Sequence, residues 1–266
     1  MGRIWIAILV QMAWVSVSYA HYNMLFPDKP WVNKGETVVF TYQFGHPFEH
    51  ELFDAPMPLA VNVILPDGKT QAVSKLAKGS LKGIDGKNVV GYSFTYEPQL
   101  RGDHTLVLLT PPIWMEESND FVQDTVKVVL HVQTQKNWDT DLPSGLFDHV
   151  KLQTTPLTRP YGLYPGMTFQ AHVGLGFKKQ ENGSGGRLVE IERYNARPPQ
   201  KLPSDELITF KTKTDPNGVF TFAFPEPGWW SMTAAFQEKD RQYKGGGKKG
   251  PLRDRATLWV FVNDKK

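Results

Sequence analysis

Alternation of apolar and polar positions is the main pattern along the chain. In Val38–Phe44 every second residue is apolar, which predicts a β-strand with one buried face. Turn-forming clusters such as Pro66-Asp67-Gly68 separate this segment from others with the same period. These other segments lie at residues 90–96, 106–108 and 126–132. The pattern predicts an antiparallel β-sandwich in the first half of the chain.

A second set of alternating segments begins at Thr168, after a stretch rich in Asp, Pro, Ser and Gly at residues 136–150. Asp215-Pro216-Asn217-Gly218 is typical of a tight hairpin turn between two of them. The later strands are expected at residues 188–193, 207–213, 219–224, 229–236 and 257–262. No long helical period occurs, and residues 70–82 are expected to form a short helical turn or a loop.

The fold class that follows is all-β, with two tandem antiparallel β-sandwich domains of immunoglobulin-like or carboxypeptidase-regulatory-like type. We place the first domain at residues 21–135, a linker at 136–150 and the second domain at 151–266. A single large β-barrel is the alternative architecture. Trp229 and Trp230 share a strand, so one is expected in the core and the other at the interface between the domains.

The first 20 residues have the features of a signal peptide. Arg3 supplies a positive charge, Ile4–Val15 is mostly apolar, and Ser18 and Ala20 are small residues at the positions that a signal peptidase inspects. The apolar run is shorter than the ~20 residues that span a bilayer. We therefore predict cleavage between Ala20 and His21 and a soluble product, periplasmic or otherwise exported. A retained membrane anchor is the alternative.

Composition narrows the chemistry that is available. The chain has no cysteine, so disulfides and thiolate metal sites are excluded. A formal net charge of +3 is too small for a typical nucleic-acid-binding protein, and we expect no nucleic-acid partner. One basic stretch, residues 239–255, carries seven Lys or Arg against two Asp. It is predicted to be a solvated flexible loop, with a contact to anionic lipid or to a partner subunit as the alternative.

Three of the seven histidines suggest a metal site. Cleavage after Ala20 would make His21 the first residue, so its α-amine and its ring could bind the same ion. His46 and His50 lie in one loop that follows the strand Val38–Phe44. Nitrogen donors of this kind suit nickel, cobalt or copper, and Glu49 is the expected oxygen donor. Further oxygen ligands could come from Glu51 or Glu117, and an ordinary polar loop is the alternative to a metal site.

The remaining histidines are weaker candidates. Strand alternation predicts His131 and His172 to be surface groups. His104 starts a strand and could lie at the end of the sandwich, but it belongs to no motif. The chain lacks the sequence signatures of serine hydrolases, phosphate-binding loops, zinc proteases and dinucleotide-binding enzymes. We therefore do not expect an enzyme of these classes.

Several motifs together resemble the DUF4198 family of exported bacterial proteins. They are Ala20-His21 with its aromatic-rich continuation, Gly45–Pro56 with its His-Pro-Phe-Glu-His core, Pro156–Gly162, Thr214–Phe220 and Pro227–Trp230. The resemblance implies a periplasmic component associated with nickel and cobalt uptake of the energy-coupling-factor type. Its implied partners are membrane metal transporter subunits and a divalent metal ion.

The leading hypothesis is an exported protein that binds nickel or cobalt and delivers the ion to a membrane uptake transporter, with His21, His46, His50 and Glu49 as metal ligands. A copper protein or oxidase with a histidine brace is the first alternative, because a terminal histidine and a second imidazole also suit copper. A carbohydrate- or protein-adhesion module is the second alternative, because tandem sandwiches commonly serve adhesion.

Overall fold

The computed structural model describes residues 21–83, 86–175 and 185–265. The predicted signal peptide, residues 1–20, lies outside them. The first half contains eleven strands: β1 (Tyr22–Pro27), β2 (Trp31–Val32), β3 (Val38–His46), β4 (Glu51–Phe53), β5 (Ala60–Ile64), β6 (Thr70–Ala72), β7 (Ala77–Lys82), β8 (Asn88–Tyr96), β9 (Gly102–Leu109), β10 (Ile113–Met115) and β11 (Asp120–Val132).

The second half contains seven further strands and a 3-10 turn at Asp205–Leu207. The strands are β12 (Leu152–Pro156), β13 (Thr168–Leu175), β14 (Leu188–Arg193), β15 (Thr209–Lys213), β16 (Val219–Ala223), β17 (Gly228–Gly245) and β18 (Lys248–Val262). The all-β prediction is therefore confirmed. In the part of the chain that is described, no helix has the length and apolar character needed to cross a membrane.

Three sheets build the molecule. The N-terminal sheet has the order β1-β3-β8-β7 with β4 beside β3, and the C-terminal sheet has the order β12-β13-β16. Between them runs a long sheet of ten strands with the path β15-β14-β17-β18-β11-β9-β5-β6. The long sheet forms one layer of both sandwich-like halves, because β11 and β18 pair in parallel from Phe121↔Leu252 to Val128↔Trp259.

Each half encloses its own hydrophobic core. In the first, side chains such as Phe40 and Phe94 face Leu106 and Val128 of the long sheet. In the second, the C-terminal sheet packs against the other end of the long sheet, with Trp230 at its centre. Trp229 points the other way and packs on Phe26 from β1, 5.3 Å between ring centroids, so the two tryptophans serve the two cores from one strand.

The connection between the halves is packed against the long sheet. Leu142, Phe147 and Val150 are buried against Ile64, Val107 and Leu109 of strands β5 and β9. Burial of these apolar side chains contributes stability in proportion to the area removed from water. A division of the chain into domains at residues 136–150 stays a prediction.

Three local predictions were wrong. Residues 70–82 contain strands β6 and β7, because each finds a partner edge, on β5 and on β8 respectively. Residues 239–255 form the end of a long β17–β18 hairpin, because the two strands pair up to Gly245↔Lys248. The side chain of His131 is only 20% exposed, because it hydrogen-bonds Asp103 (2.7 Å) and stacks on Tyr161 from the second half.

Candidate metal centre

The pairing of β1 with β3 brings His21 and His46 together. Tyr22 lies opposite Gly45 in this antiparallel ladder, so the residue before Tyr22 meets the residue after Gly45. The two imidazole rings are 4.5 Å apart between centroids and tilted by 46°. Two nitrogen ligands far apart in sequence therefore share one end of the N-terminal sheet.

A tight connection between β3 and β4 orients His46. His46 lies opposite Glu51, and its Nδ1 is 3.0 Å from the Glu51 carboxylate. Because a carboxylate only accepts, Nδ1 of the neutral ring carries the proton, and the lone pair resides on Nε2. Gly45 permits the close approach, since its φ is +151° and a Cβ would lie 2.0 Å from the Glu51 carbonyl oxygen.

Aromatic rings surround the two histidines. Phe44 stacks on the His21 ring with centroids 5.6 Å apart, and Phe53 contacts both His21 (5.1 Å) and His46 (5.3 Å). Burial first, and then the proximity of His46, lower the pKa of His21 to about 4, whereas the charge of Glu117 opposes the shift. The His21 ring is therefore neutral at neutral pH, the form that binds metals.

Side chains from the long sheet hold the backbone at His21. The Arg255 guanidinium donates to the His21 carbonyl oxygen at 2.7 Å. It also makes a bidentate pair with Asp124, with both N–O distances 2.6 Å, and Asp124 accepts from the Asn23 amide. Trp259 donates its indole N–H to the Asn23 carbonyl at 3.1 Å. The start of β1 is thus fixed by strands β11 and β18.

The loop of residues 47–50 docks on the end of β14. The Asn195 amide donates to the Phe48 carbonyl at 2.6 Å, and the Asn195 backbone N–H donates to Pro47 O at 2.9 Å. Phe48 N–H donates to Glu192 at 3.2 Å, and the His50 ring contacts Tyr194 with centroids 5.8 Å apart. These contacts join the first half of the chain to the second.

The two remaining predicted ligands, His50 and Glu49, belong to this loop. Burial lowers the pKa of His50, whose Nδ1 is buried without a hydrogen bond. Glu192 is 3% exposed, and burial followed by repulsion from Glu49 raises its pKa to about 8. The structure therefore brings His21 and His46 into contact with each other and places His50 against the second half.

Side chains alone do not form a complete ligand set. In residues 21–83, 86–175 and 185–265, no three His, Cys, Asp or Glu side chains are arranged to hold a metal ion. The α-amine that cleavage after Ala20 would create is a further donor beside the His21 ring, and it is not a side chain. With that amine, the donor set would be three nitrogens, which suits copper(II), nickel(II) or cobalt(II).

Two supporting residues carried no sequence signal for this role. Arg255 belonged to the basic stretch predicted to be a solvated flexible loop, and Asp124 lay just before the strand predicted at residues 126–132. Their burial as a pair, at 9% and 1% exposure, depends on the pairing of β11 with β18. His104 is also buried, with Tyr96 OH 2.7 Å from Nδ1 and the Leu100 carbonyl 3.0 Å from Nε2, so both ring nitrogens have structural partners.

Fold and site together define an all-β protein of two joined sandwiches with a histidine pair at the start of its first described strand. The chain belongs to the family defined by the domain of unknown function DUF4198, whose profile matches residues 18–238. None of the curated proteins compared with the chain matches it.

Several solved structures are distantly similar. Trypsin-activated alpha-2-macroglobulin from Escherichia coli aligns with 91% of this chain at 13% identity and a TM-score of 0.27, and the chain covers 16% of that protein. A DUF4785 family protein from Legionella pneumophila gives 13% identity, 80% and 52% coverage, and a TM-score of 0.28. The Yersinia pseudotuberculosis adhesin InvE is 14% identical, with a TM-score of 0.24. The alignment covers 91% of this chain and 58% of the adhesin chain. At these TM-scores the similarities carry no argument about function.

Proposed function

We propose that this chain, after export and cleavage before His21, binds a divalent transition-metal ion and delivers it to a membrane uptake transporter. The ion is nickel or cobalt, and its ligands are the α-amine and ring of His21 and the ring of His46. The observation that carries the proposal is the proximity of the two imidazole rings, whose centroids are 4.5 Å apart. In this proposal the ion is cargo.

The surroundings of the two rings favour a bound cation. Glu51 hydrogen-bonds Nδ1 of His46, an arrangement typical of the outer shell of metal-binding histidines. The Arg255 charge next to His21 is neutralised by Asp124 at 2.6 Å, so it opposes cation binding less than an unpaired guanidinium would. His21 is partly exposed, which leaves a path for the ion.

A site made only of nitrogen donors, with carboxylates nearby, favours borderline divalent ions over calcium or magnesium. Delivery to a transporter requires a site that releases its ion, and two imidazoles with one amine provide fewer ligands than a closed four-ligand structural site. The resemblance to DUF4198 proteins associated with nickel and cobalt uptake supports this assignment. His50 then helps to fix the loop that follows His46 by packing on Tyr194, and Glu49 is outside the proposed ligand set.

Titration calorimetry on protein that begins at His21 tests the proposal. We expect nickel and cobalt to bind, and His21→Ala or His46→Ala to weaken binding by more than the roughly 10–100-fold cost of losing an outer-shell partner. His172→Ala, a half-buried histidine on β13, is the matched control and should bind as the parent does. Protein with one extra residue before His21 tests the amine and should also bind weakly.

The absence of heat with nickel, cobalt and copper, or unchanged binding in His21→Ala, would refute the proposal. Copper binding alone, together with oxygen consumption in the presence of a reductant, would assign the chain to the histidine-brace copper proteins. That outcome has a physical basis, because a site of three nitrogens binds copper(II) more tightly than nickel or cobalt.

A further inference from the structure

The hairpin formed by β17 and β18 ends in a basic tip, residues 239–249. Its strands pair through Tyr243↔Gly250, Lys244↔Lys249 and Gly245↔Lys248. Gly246 and Gly247 close the turn with φ values of +54° and +77°, the positive angles that a tight two-residue hairpin turn requires. The charges of the tip are therefore held on an ordered two-stranded ribbon.

The base of the tip is fixed to the rest of the molecule. Tyr243 packs edge-on against Phe121 with centroids 4.9 Å apart, and Phe121 in turn contacts Trp114 at 5.0 Å. Lys248 lies over the Trp114 ring at 4.9 Å and forms an ion pair with Glu116 at 2.7 Å. The hairpin end therefore presents its side chains from a rigid support.

Three lysines of the tip have no ion-pair partner among the residues that the structure describes. Within the ranges that the structure describes, Arg241 pairs with Asp254 and Lys248 with Glu116, whereas Lys239, Lys244 and Lys249 form no ion pair. All three are exposed.

Two of these lysines lie directly opposite each other. Lys244 and Lys249 are cross-strand partners, and like charges in this position destabilise a β-ladder. Neither lysine forms an ion pair with a described residue, so an external anion would relieve this repulsion.

We propose that the basic tip docks this protein on a membrane surface by binding anionic phospholipid headgroups. The lysines project from a two-stranded ribbon, an arrangement suited to a layer of headgroups, which needs charge and no shaped cavity. Tyr243, 36% exposed at the base of the tip, is an aromatic residue of the kind enriched at the membrane interface. Docking does not require a metal and so does not depend on the function proposed above.

Co-sedimentation of metal-free protein with lipid vesicles tests this inference. We expect binding to phosphatidylcholine vesicles that contain phosphatidylglycerol, little binding to phosphatidylcholine alone, and loss of binding in about 0.5 M salt, where charges are screened. Each basic residue near an anionic surface contributes about fivefold in affinity, so Lys244→Gln with Lys249→Gln should weaken binding about 25-fold. Lys75→Gln with Lys78→Gln, two exposed lysines around the start of β7, is the matched control and should bind as the parent does.

The melting temperature separates docking from damage to the fold. The Lys244 and Lys249 double variant should melt at the same or a higher temperature, because a like-charge pair has been removed. Equal binding of the parent to both kinds of vesicle, or full binding by a folded double variant, would overturn the proposal. Binding to polyglutamate without binding to vesicles would also overturn it, in favour of an acidic protein partner. Because no metal is present, these results are independent of the calorimetry.

Discussion

Replacing Glu192 with Gln should remove a pH-dependent loss of stability at the contact between the two halves. Glu192 lies on β14, 3% exposed, and accepts from Phe48 N–H at 3.2 Å and from the Thr209 hydroxyl at 2.9 Å. Glutamine keeps the shape and the acceptor for Phe48, and the Thr209 hydroxyl can turn to accept from the new amide. The Glu192→Gln variant therefore removes the titrating carboxyl and keeps the packing around residue 192.

The sign of the effect follows from the direction of the pKa shift. Burial, then repulsion from Glu49, raises the pKa of Glu192 from its ordinary value of 4.5 to about 8. Between these values the folded state binds a proton that the unfolded state has lost, so the free energy of unfolding falls as the pH rises. Stability from the protonated carboxyl is complete below pH 4.5 and lost as the pH rises to about 8.

Other groups with shifted pKa values act mainly outside the interval from pH 6.5 to pH 8. The pKa of His21 is lowered by burial from 6.5 to about 4, and that of Asp254 is raised by burial from 3.8 to about 6, so both groups titrate differently in the two states only below about pH 6.5. Burial lowers the pKa of Lys127 from 10.5 to about 8, so Lys127 changes the free energy of unfolding mainly above pH 8. One pKa unit corresponds to about 1.4 kcal/mol, so Glu192 should lower the free energy of unfolding by about 2 kcal/mol across this interval.

Urea unfolding of protein that begins at His21, at several pH values from 6.5 to 8, measures this slope. The parent should lose about 2 kcal/mol more than Glu192→Gln over that range. Glu97→Gln, an exposed glutamate at the end of the first-half strand β8, is the control and should keep the parent slope. Parallel pH profiles for the parent and Glu192→Gln would refute the reasoning, because the carboxyl would then titrate alike in both states.

Two further substitutions test the supports of the candidate site. Glu51→Gln should lower metal affinity roughly 10–100-fold in calorimetry by weakening the hydrogen bond that orients His46. The melting temperature should change little, because Glu51 is partly exposed, and unchanged affinity would contradict its orienting role. Asp124→Ala should cost about 3–5 kcal/mol in urea unfolding, because it leaves the Arg255 guanidinium buried and unpaired. A double variant, Asp124→Leu with Arg255→Met, should recover much of that loss, and its failure to do so would contradict the charge argument.

Local patterns predicted most strands well because they depend on which face of each strand is buried. The segment predicted at residues 188–193 has the same bounds as β14. The segment predicted at Val38–Phe44 is two residues shorter than β3, which ends at His46. Residues 70–82 lack regular alternation and become strands through pairing with neighbouring edges. Their structure is set by partners far away in sequence.

The long sheet could not be predicted from the sequence. The parallel pair of β11 and β18 joins residues more than a hundred positions apart, and no short segment encodes that choice. This pair explains part of the error made for residues 239–255. It makes Arg255 a buried partner of Asp124. The stretch predicted to be a flexible loop forms a ladder of its own between β17 and β18, up to Gly245↔Lys248.

For the candidate site, the sequence identified the histidines but could not tell which of them lie next to each other. His46 and His50 lie four residues apart in one loop, which suggested a shared ion. The positive φ of His50, +54°, belongs to the tight turn after β3, and its ring lies against Tyr194. His46, still within the strand, faces His21 through the β1–β3 register. Backbone geometry at two positions therefore decides which imidazoles meet.

The second half of the chain supports both elements that carry the candidate ligands. The start of β1 is held by Arg255 and Trp259 from β18, and the loop after His46 is held by Asn195 beyond β14. Because β14 and β18 both pair with β17 in the long sheet, one rigid layer fixes the two imidazoles relative to each other. A metal site needs accurately placed ligands, and these require supporting residues that are themselves held in place. The second half of the chain supplies such support to the candidate site and none of its proposed ligands.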